Sequence, residues 1–308
     1  MLSAYPPFAC PACRVPLETC GADRLRCTRE GVEYSRVEGI WRFLMPGRLA
    51  AFQQFIHEYE TVRQGEGRGS PDPAYYRALP FRDLSGLRPA DWRIRACSYR
   101  MLEQRVLAPL EASTHRALTA LDLGAGNGWL SYRLAQRGHV VAAVDLLTNP
   151  HDGLGAFIHY DARFTPVQAE FDRLPFTDEQ VDLVIYNASL HYSPNYAQTL
   201  NEARRVLRPG GRLIILDTPV YHTAASGLAM VREREAAFER QYGFASNALS
   251  SQNFLTYREL DELGAGLKMH WQVLTPFYGL GWALRPWKAR LTLRREPAHF
   301  HLIVGRSD

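Results

Sequence analysis

Two groups of residues have types and spacings that can do chemistry. The first lies in "LDLGAGNGWLSYRLAQRGHVVAAVD", residues 121–145, where Gly124, Gly126 and Gly128 follow a G-x-G-x-G spacing. Such a turn lets a ligand approach the backbone closely at a helix N-terminus. Trp129 stands where a dinucleotide fingerprint wants Gly or Ala, and no Gly-Lys-Ser/Thr follows to make a phosphate-binding loop. Asp145 ends the next apolar run, where a carboxylate can take ribose hydroxyls. Loop and carboxylate together point to a nucleoside-containing cofactor. The second group is Cys10, Cys13, Cys20 and Cys27. The thiolates of "CPAC" form half of a tetrahedral site. The stretch "MLSAYPPFACPAC" has no basic start followed by an apolar run, so a cytoplasmic location and metal rather than disulfides are expected.

These residues need a scaffold, and the periodicities describe one. Residues 1–47 form a turn-rich unit ending in "VEGIWRFLMPG", and residues 48–116 read mainly as helix around the loop "RQGEGRGSPDP". From residue 117 strands and helices alternate. "ALTALDLG", "HVVAAVD", "VDLVIYNAS" and "RLIILDTP" are apolar runs of the buried-strand kind. "WLSYRLAQRG" is a helix with Gly138 at its C′ position, and "YAQTLNEARRVL" is amphipathic through Leu200, Ala203, Val206 and Leu207. "RPGG" turns the chain into the last of those strands. Residues 221–265 look like a helical insertion, and "KMHWQVLTPF" and "HFHLIVG" supply a late hairpin-like pair. This predicts a doubly wound α/β sheet over residues 117–308.

Composition narrows the function. The 308 residues are 46% hydrophobic and 22% charged, an ordinary globular balance. No stretch approaches the roughly 18 apolar residues of a membrane span, so no membrane partner is expected. A net charge of +4 does not imply nucleic acid. Only Lys268 and Lys288 among 36 basic residues are lysine, a bias that discounts arginine clusters as functional signals.

"LDLGAGNGWL", "AVD", "EFDRLPFTDEQVDLVIYNASLHY" and "EARRVLRPGGRLIILD" resemble successive motifs of the class I S-adenosylmethionine-dependent methyltransferases, in particular their small-molecule branch. The resemblance covers residues 117–220. It implies a Rossmann-like seven-stranded sheet and S-adenosylmethionine as cofactor. Gly124, Gly126 and Gly128 would pass under the methionine and ribose portions. Asp122 would lie beneath the loop, and Asp145 would accept the ribose hydroxyls. Glu170 takes the family's adenine-contacting position with Phe171 beside the ring, and Asp172 is a rival. Asn187 would face the methyl donor.

Methyl transfer from a sulfonium is an in-line displacement that needs alignment and exclusion of water, and a base only if the nucleophile carries a proton. His191, after the fourth strand, and Tyr186 are the catalytic candidates; Tyr192, Asp217, Tyr221 and His222 lie at the same strand-end rim. The segment 58–83, with Tyr59, Arg63, Tyr75 and Tyr76, reads as a lid with substrate contacts, or else as a solvated loop. Tyr59, Arg63, Tyr75, Tyr76 and His222 are therefore the substrate-binding candidates. His151, Asp152, His159 and Asp161 read as loop polar groups, and Cys97 as a buried thiol.

The first unit resembles the zinc ribbons found at the start of some methyltransferases, through "CPAC", Leu17, "LRC", Gly31, Tyr34 and "GIWRFL". This implies a structural zinc on Cys10, Cys13 and Cys27, with Cys20 or Glu30 as fourth ligand, or else a unit that has lost the metal and is held by apolar packing. A small-molecule acceptor is the expected partner. The alternative is an RNA base methyltransferase related to zinc-ribbon guanine-N1 enzymes, with Trp282, Trp287 and five bases from Arg285 to Arg295 as its surface. The same stretch also reads as a packed helical stripe of Leu284, Trp287 and Leu291. A non-catalytic cofactor- or partner-binding module is a third reading.

Overall fold

The computed structural model describes residues 6–45 and 47–307. Residues 1–5 and 46 of the expected N-terminal unit lie outside the described residues. The chain runs through β1 (Glu18–Gly21), β2 (Arg24–Arg26), β3 (Glu33–Val37) and β4 (Ile40–Arg42), then α1 (Arg48–Gly65), α2 (Pro73–Ala78), α3 (Pro89–Leu102) and α4 (Ala108–Thr114). The alternating part follows: β5 (Thr119–Leu123), α5 (Trp129–Gln136), β6 (Val140–Asp145), β7 (Thr165–Gln168), β8 (Val181–Asn187), α6 (Tyr196–Val206) and β9 (Leu207–Leu216). Last come β10 (Val220–Tyr221), α7 (Ala224–Tyr242), β11 (Leu255–Thr256), α8 (Tyr257–Leu267), β12 (Met269–Leu274), α9 (Leu280–Ala283), α10 (Arg285–Leu291) and β13 (Leu302–Ser307).

The central strands lie in the order β7-β6-β5-β8-β9-β13-β12, the seven-stranded α/β sheet expected. β5 to β9 are parallel, while β13 runs antiparallel to both β9 and β12, so the late pair does close one edge. The other edge does not stop at β7. β4 pairs with it in parallel, Trp41 opposite Val167, and β3, β2 and β1 follow, making an eleven-stranded sheet among the described residues.

The continuous apolar strands divide by parity between two cores. Leu121, Leu123, Val184 and Tyr186 face one layer, and Ala120, Leu183 and Ile185 the other, as the period of two requires. The first layer also contains Phe8, Leu25, Tyr34, Trp41 and Phe43 of the N-terminal unit. Phe8 lies 5.5 Å from Phe176 and 4.8 Å from Phe43 between ring centroids. The ribbon therefore shares the main core.

Two expectations shift in detail. "RPGG" is a bulge inside β9 rather than a turn before it: Val181 pairs with Leu207 and Leu183 with Arg212, so β9 spends extra residues there. Residues 221–265 are helical through α7 and α8, but β10 just before α7 and β11 just before α8 pair as a short parallel bridge. α8 starts on a capping box in which Thr256 and Glu259 satisfy each other's backbone amides.

Candidate active site

The glycine loop connects β5 to α5 at the C-terminal rim of the sheet. Gly124 and Gly128 have φ of 74° and 79°, which side chains rarely adopt. A Cβ on Gly124 would stand 2.3 Å from the Ser189 Cβ. A glycine is needed there because the Ser189 side chain presses against the Gly124 backbone, and Ser189 locks the turn by donating to the Leu123 carbonyl at 2.5 Å.

Asp145, at the end of β6, accepts from the Gly126 amide at 2.8 Å and the Leu147 amide at 2.9 Å. Burial raises its carboxyl pKa against the pull of these amides. Asp122 is fully buried under the loop. One oxygen takes the Ser131 amide and hydroxyl at 3.1 and 2.8 Å, and the other has no partner. Burial pushes its pKa up to about 7.

A groove of about 330 Å³ opens above these residues, lined by Gly124, Asp145, Glu170, Phe171, Ala188 and Ser189 on the sheet side. Gly126 and Gly128 shape the loop without lining the groove, and Phe164 fills the space over Gly128. At the end of β8, Ala188 and Ser189 line it rather than Asn187. Glu170 is present, but its carboxylate holds Arg48 through contacts of 3.0, 3.2 and 2.6 Å. Asp172 also lines the groove and takes a short hydrogen bond from Thr199.

The opposite wall is α1, through Arg48, Ala51, Phe52, Phe55 and Tyr59. These positions recur at the three- and four-residue steps of one helical face, a signal present in the sequence but not used there. Ala248, Leu249 and Ser250 complete the wall. Buried Glu58 holds that loop by accepting the Ala248 amide at 3.2 Å.

A second cavity, about 280 Å³, shares Phe55, Tyr59, Ala188, Tyr192 and Leu249 with the groove. Tyr59 meets Tyr192 edge-on at 5.6 Å between them. Its polar lining includes Arg63, Arg68, Arg95, His191, Asp217 and Arg234. Four of these side chains present a buried polar atom with no hydrogen-bond partner: His191 Nδ1, Asp217 Oδ2, Arg68 Nη1 and Arg234 Nε. Burial, and then Arg234 and Arg95, push the His191 pKa down to about 3, so its imidazole is neutral. The other Asp217 oxygen accepts from Ser98 at 2.5 Å, and burial raises that carboxyl's pKa.

Several expected residues lie elsewhere. Tyr186 is in the core, its hydroxyl 3.3 Å from the Thr199 carbonyl, and cannot reach an acceptor. Tyr75 and Tyr76 are buried in the second core layer; Tyr76 donates to the Ser70 and His151 carbonyls and anchors the segment instead of facing a ligand. Tyr221 is likewise buried, against Phe254. His222 is exposed outside the cavity, hydrogen-bonded to Glu296, which also meets His299 at 2.9 Å. Tyr59 and Arg63 do line the cavity, Arg63 paired with Asp152. The 58–83 segment is thus tethered rather than solvated.

Cys10, Cys13 and Cys27 bring their sulfurs within 4.8 Å of one another. Cys20 lies exposed on β1 and Glu30 contributes only its amide, at 3.4 Å from the Cys27 sulfur, so neither expected fourth ligand joins them. The neighbour is the Tyr34 hydroxyl, 3.3 Å from Cys10. The polar residues 151–161 form no such group; Asp161 takes the Tyr132 hydroxyl and His159 stacks on Tyr76.

The mostly parallel sheet with this strand order, the glycine turn at its rim and the carboxylate ending the second strand are the features that the resemblance read from the sequence implies. Residues 121–215 match the family model described as a methyltransferase domain. A protein named an uncharacterized methyltransferase in Mycobacterium tuberculosis is 38% identical over 117 residues, 38% of this chain and 45% of that one. A malonyl-[acyl-carrier protein] O-methyltransferase of Erwinia pyrifoliae is 31% identical over 124 residues, 39% and 42% of the two chains. The chain thus spans less than half the length of these curated relatives. Among solved structures, the 1,6-didemethyltoxoflavin N1-methyltransferase of Burkholderia thailandensis, with S-adenosylhomocysteine bound, covers 95% of this chain and 99% of its own at 18% identity and a TM-score of 0.47.

Proposed function

We propose that the protein transfers a methyl group from S-adenosylmethionine to a small-molecule acceptor held in the second cavity. The observation that carries this reading is the cavity itself: it shares five lining residues with the groove, and four of its lining residues carry a buried polar atom without a partner. Such groups cost free energy unless a ligand meets them. The groove residues fit the cofactor. Asp145 has lone pairs left for ribose hydroxyls, Gly124 leaves room for a close approach, and Phe171 offers a ring face. When bound, the cofactor supplies an activated methyl group on sulfur.

The chain's own residues then do the remaining work. Phe55, Tyr59 and Tyr192 bound the junction and exclude water, which favours displacement at a charged sulfonium. Asp217, with one oxygen fixed by Ser98 and the other without a partner, takes the proton if the nucleophile carries one. Neutral His191 orients the acceptor by hydrogen bonding. Three thiolates in the ribbon fit three corners of a zinc site whose role is structural, with the Tyr34 hydroxyl 3.3 Å from the Cys10 sulfur. Incubation with methyl-labelled S-adenosylmethionine and small-molecule fractions tests the transfer. Label in a small molecule, lost in Asp217→Ala while S-adenosylhomocysteine still binds, is expected. Label in RNA alone would overturn the assignment of the acceptor.

A further inference from the structure

The segment between β12 and β13 departs from the packed stripe expected of it. Phe277, Leu280, Leu284, Trp287, Leu291 and Leu293 are 69%, 75%, 59%, 65%, 84% and 95% exposed. Scattered apolar side chains are normal on a surface, but six in one short stretch mark an interaction site. No Asp or Glu occurs between Glu262 and Glu296, whereas Arg285, Lys288, Arg290, Arg294 and Arg295 all do. Lys288, Arg290 and Arg294 are exposed. Arg285 instead stacks on Trp282 at 3.8 Å, and Arg295 pairs with Glu233 at 2.7 Å.

We propose that residues 277–294 dock on the surface of an anionic lipid bilayer. The leucines and Trp287 enter the boundary between headgroups and acyl chains, and Lys288, Arg290 and Arg294 meet the lipid phosphates. Charge decides against a second copy, since a two-fold contact would press this cationic patch against itself. Composition decides against RNA. Bases stack on aromatic or guanidinium planes, whereas four exposed leucines gain nothing from bases and gain most from hydrocarbon. Among the described residues no helix is long and apolar enough to cross a membrane, which is compatible with a segment lying in the interface.

The docking face adjoins the second cavity. Tyr278 places its hydroxyl 2.9 Å from Ser98, the residue that holds Asp217, and Trp282 packs 5.6 Å from Phe300 of the cavity lining. A bilayer on this face sits beside the acceptor, so a membrane-partitioned acceptor fits the site; that corollary rests on the methyl-transfer reading.

The test is co-sedimentation of the full-length protein with phosphatidylcholine vesicles, with and without phosphatidylglycerol. Binding is expected to rise on the order of tenfold with phosphatidylglycerol and to fall with salt. The double variants L291E/L293E and K288E/R290E should each lose about tenfold or more of that binding. Their melting temperatures should stay unchanged, because these side chains are exposed. Absence of a phosphatidylglycerol effect overturns the proposal. So does a dimer that L291E/L293E dissociates, or RNA binding without vesicle binding. Vesicle binding needs no cofactor, so it can fail while S-adenosylhomocysteine binding succeeds, and the reverse.

Discussion

The cofactor groove and the N-terminal ribbon both gather groups able to hold a ligand, but they do so in opposite surroundings. In the groove, strand ends and a glycine turn surround open space, and Asp145 is held by backbone amides with its face toward that space. In the ribbon, three thiols face one another, and Cys10 and Cys27 are buried in a core shared with the catalytic sheet. The groove is arranged for an exchangeable ligand. The ribbon is held by packing, and the proposed ion would add to a core that already exists. A unit of this size would otherwise need a metal to fold; β4 on β7 and Phe8 on Phe176 reduce that need.

The contrast can be broken most forcefully at Trp41, which is 3% exposed. Trp41→Ala should cost about 3–5 kcal/mol and lower a single melting transition of the whole chain. A separate early transition confined to the ribbon would show two cores. Next in size, Gly124→Val forces a branched side chain against Ser189 at positive φ, with strain of about 1–3 kcal/mol from the backbone alone. Calorimetry should show S-adenosylhomocysteine affinity reduced roughly 100-fold, with the ribbon thiols unaffected in their reactivity.

A smaller effect sharpens the electrostatic side. Asp122 has a folded pKa raised to about 7 by burial, against an unfolded value of about 3.9. The folded state therefore binds more protons than the unfolded state between these values. Its contribution is fully present below about pH 4 and is lost as pH rises through 7. Asp122→Asn should remove that downward slope from the melting temperature measured across this window. Smallest at the groove is the effect of the proposed zinc: a chelator should lower the melting temperature while changing S-adenosylhomocysteine affinity by less than about twofold, given the distance of a shared-core effect from the ligand.

The legible part of the molecule is the part built locally. The order of strands, the glycine turn and Asp145 follow from short-range patterns that tie a residue to a strand end. What crosses the chain was not legible. Arg48 lies far in sequence from Glu170, so nothing near "EFDRLPF" announces the ion pair that occupies that carboxylate. Tyr75 and Tyr76 look like ligand contacts by type, but α2 turns them into the core beside Trp92. His222 follows the correct strand, yet β10 carries it away to Glu296. Cys20 counts toward a four-cysteine site only until β1 points it outward. Asp217 stood among the weaker rim residues and gains its place from Ser98 on α3. The helical spacing of Leu284, Trp287 and Leu291 is real, but spacing alone does not say whether another element covers the stripe.

In the proposed reading, the groove over Asp145 takes the cofactor and the adjoining cavity takes the acceptor. Titration of S-adenosylhomocysteine into the wild type, Asp145→Ala and Asp217→Asn by calorimetry tests it most directly. The expected result is one ligand per chain, affinity lowered about 100-fold in Asp145→Ala through loss of charge-assisted hydrogen bonds, and Asp217→Asn indistinguishable from wild type. No binding to the wild type, or Asp145→Ala binding as tightly as wild type, would overturn that assignment of the groove.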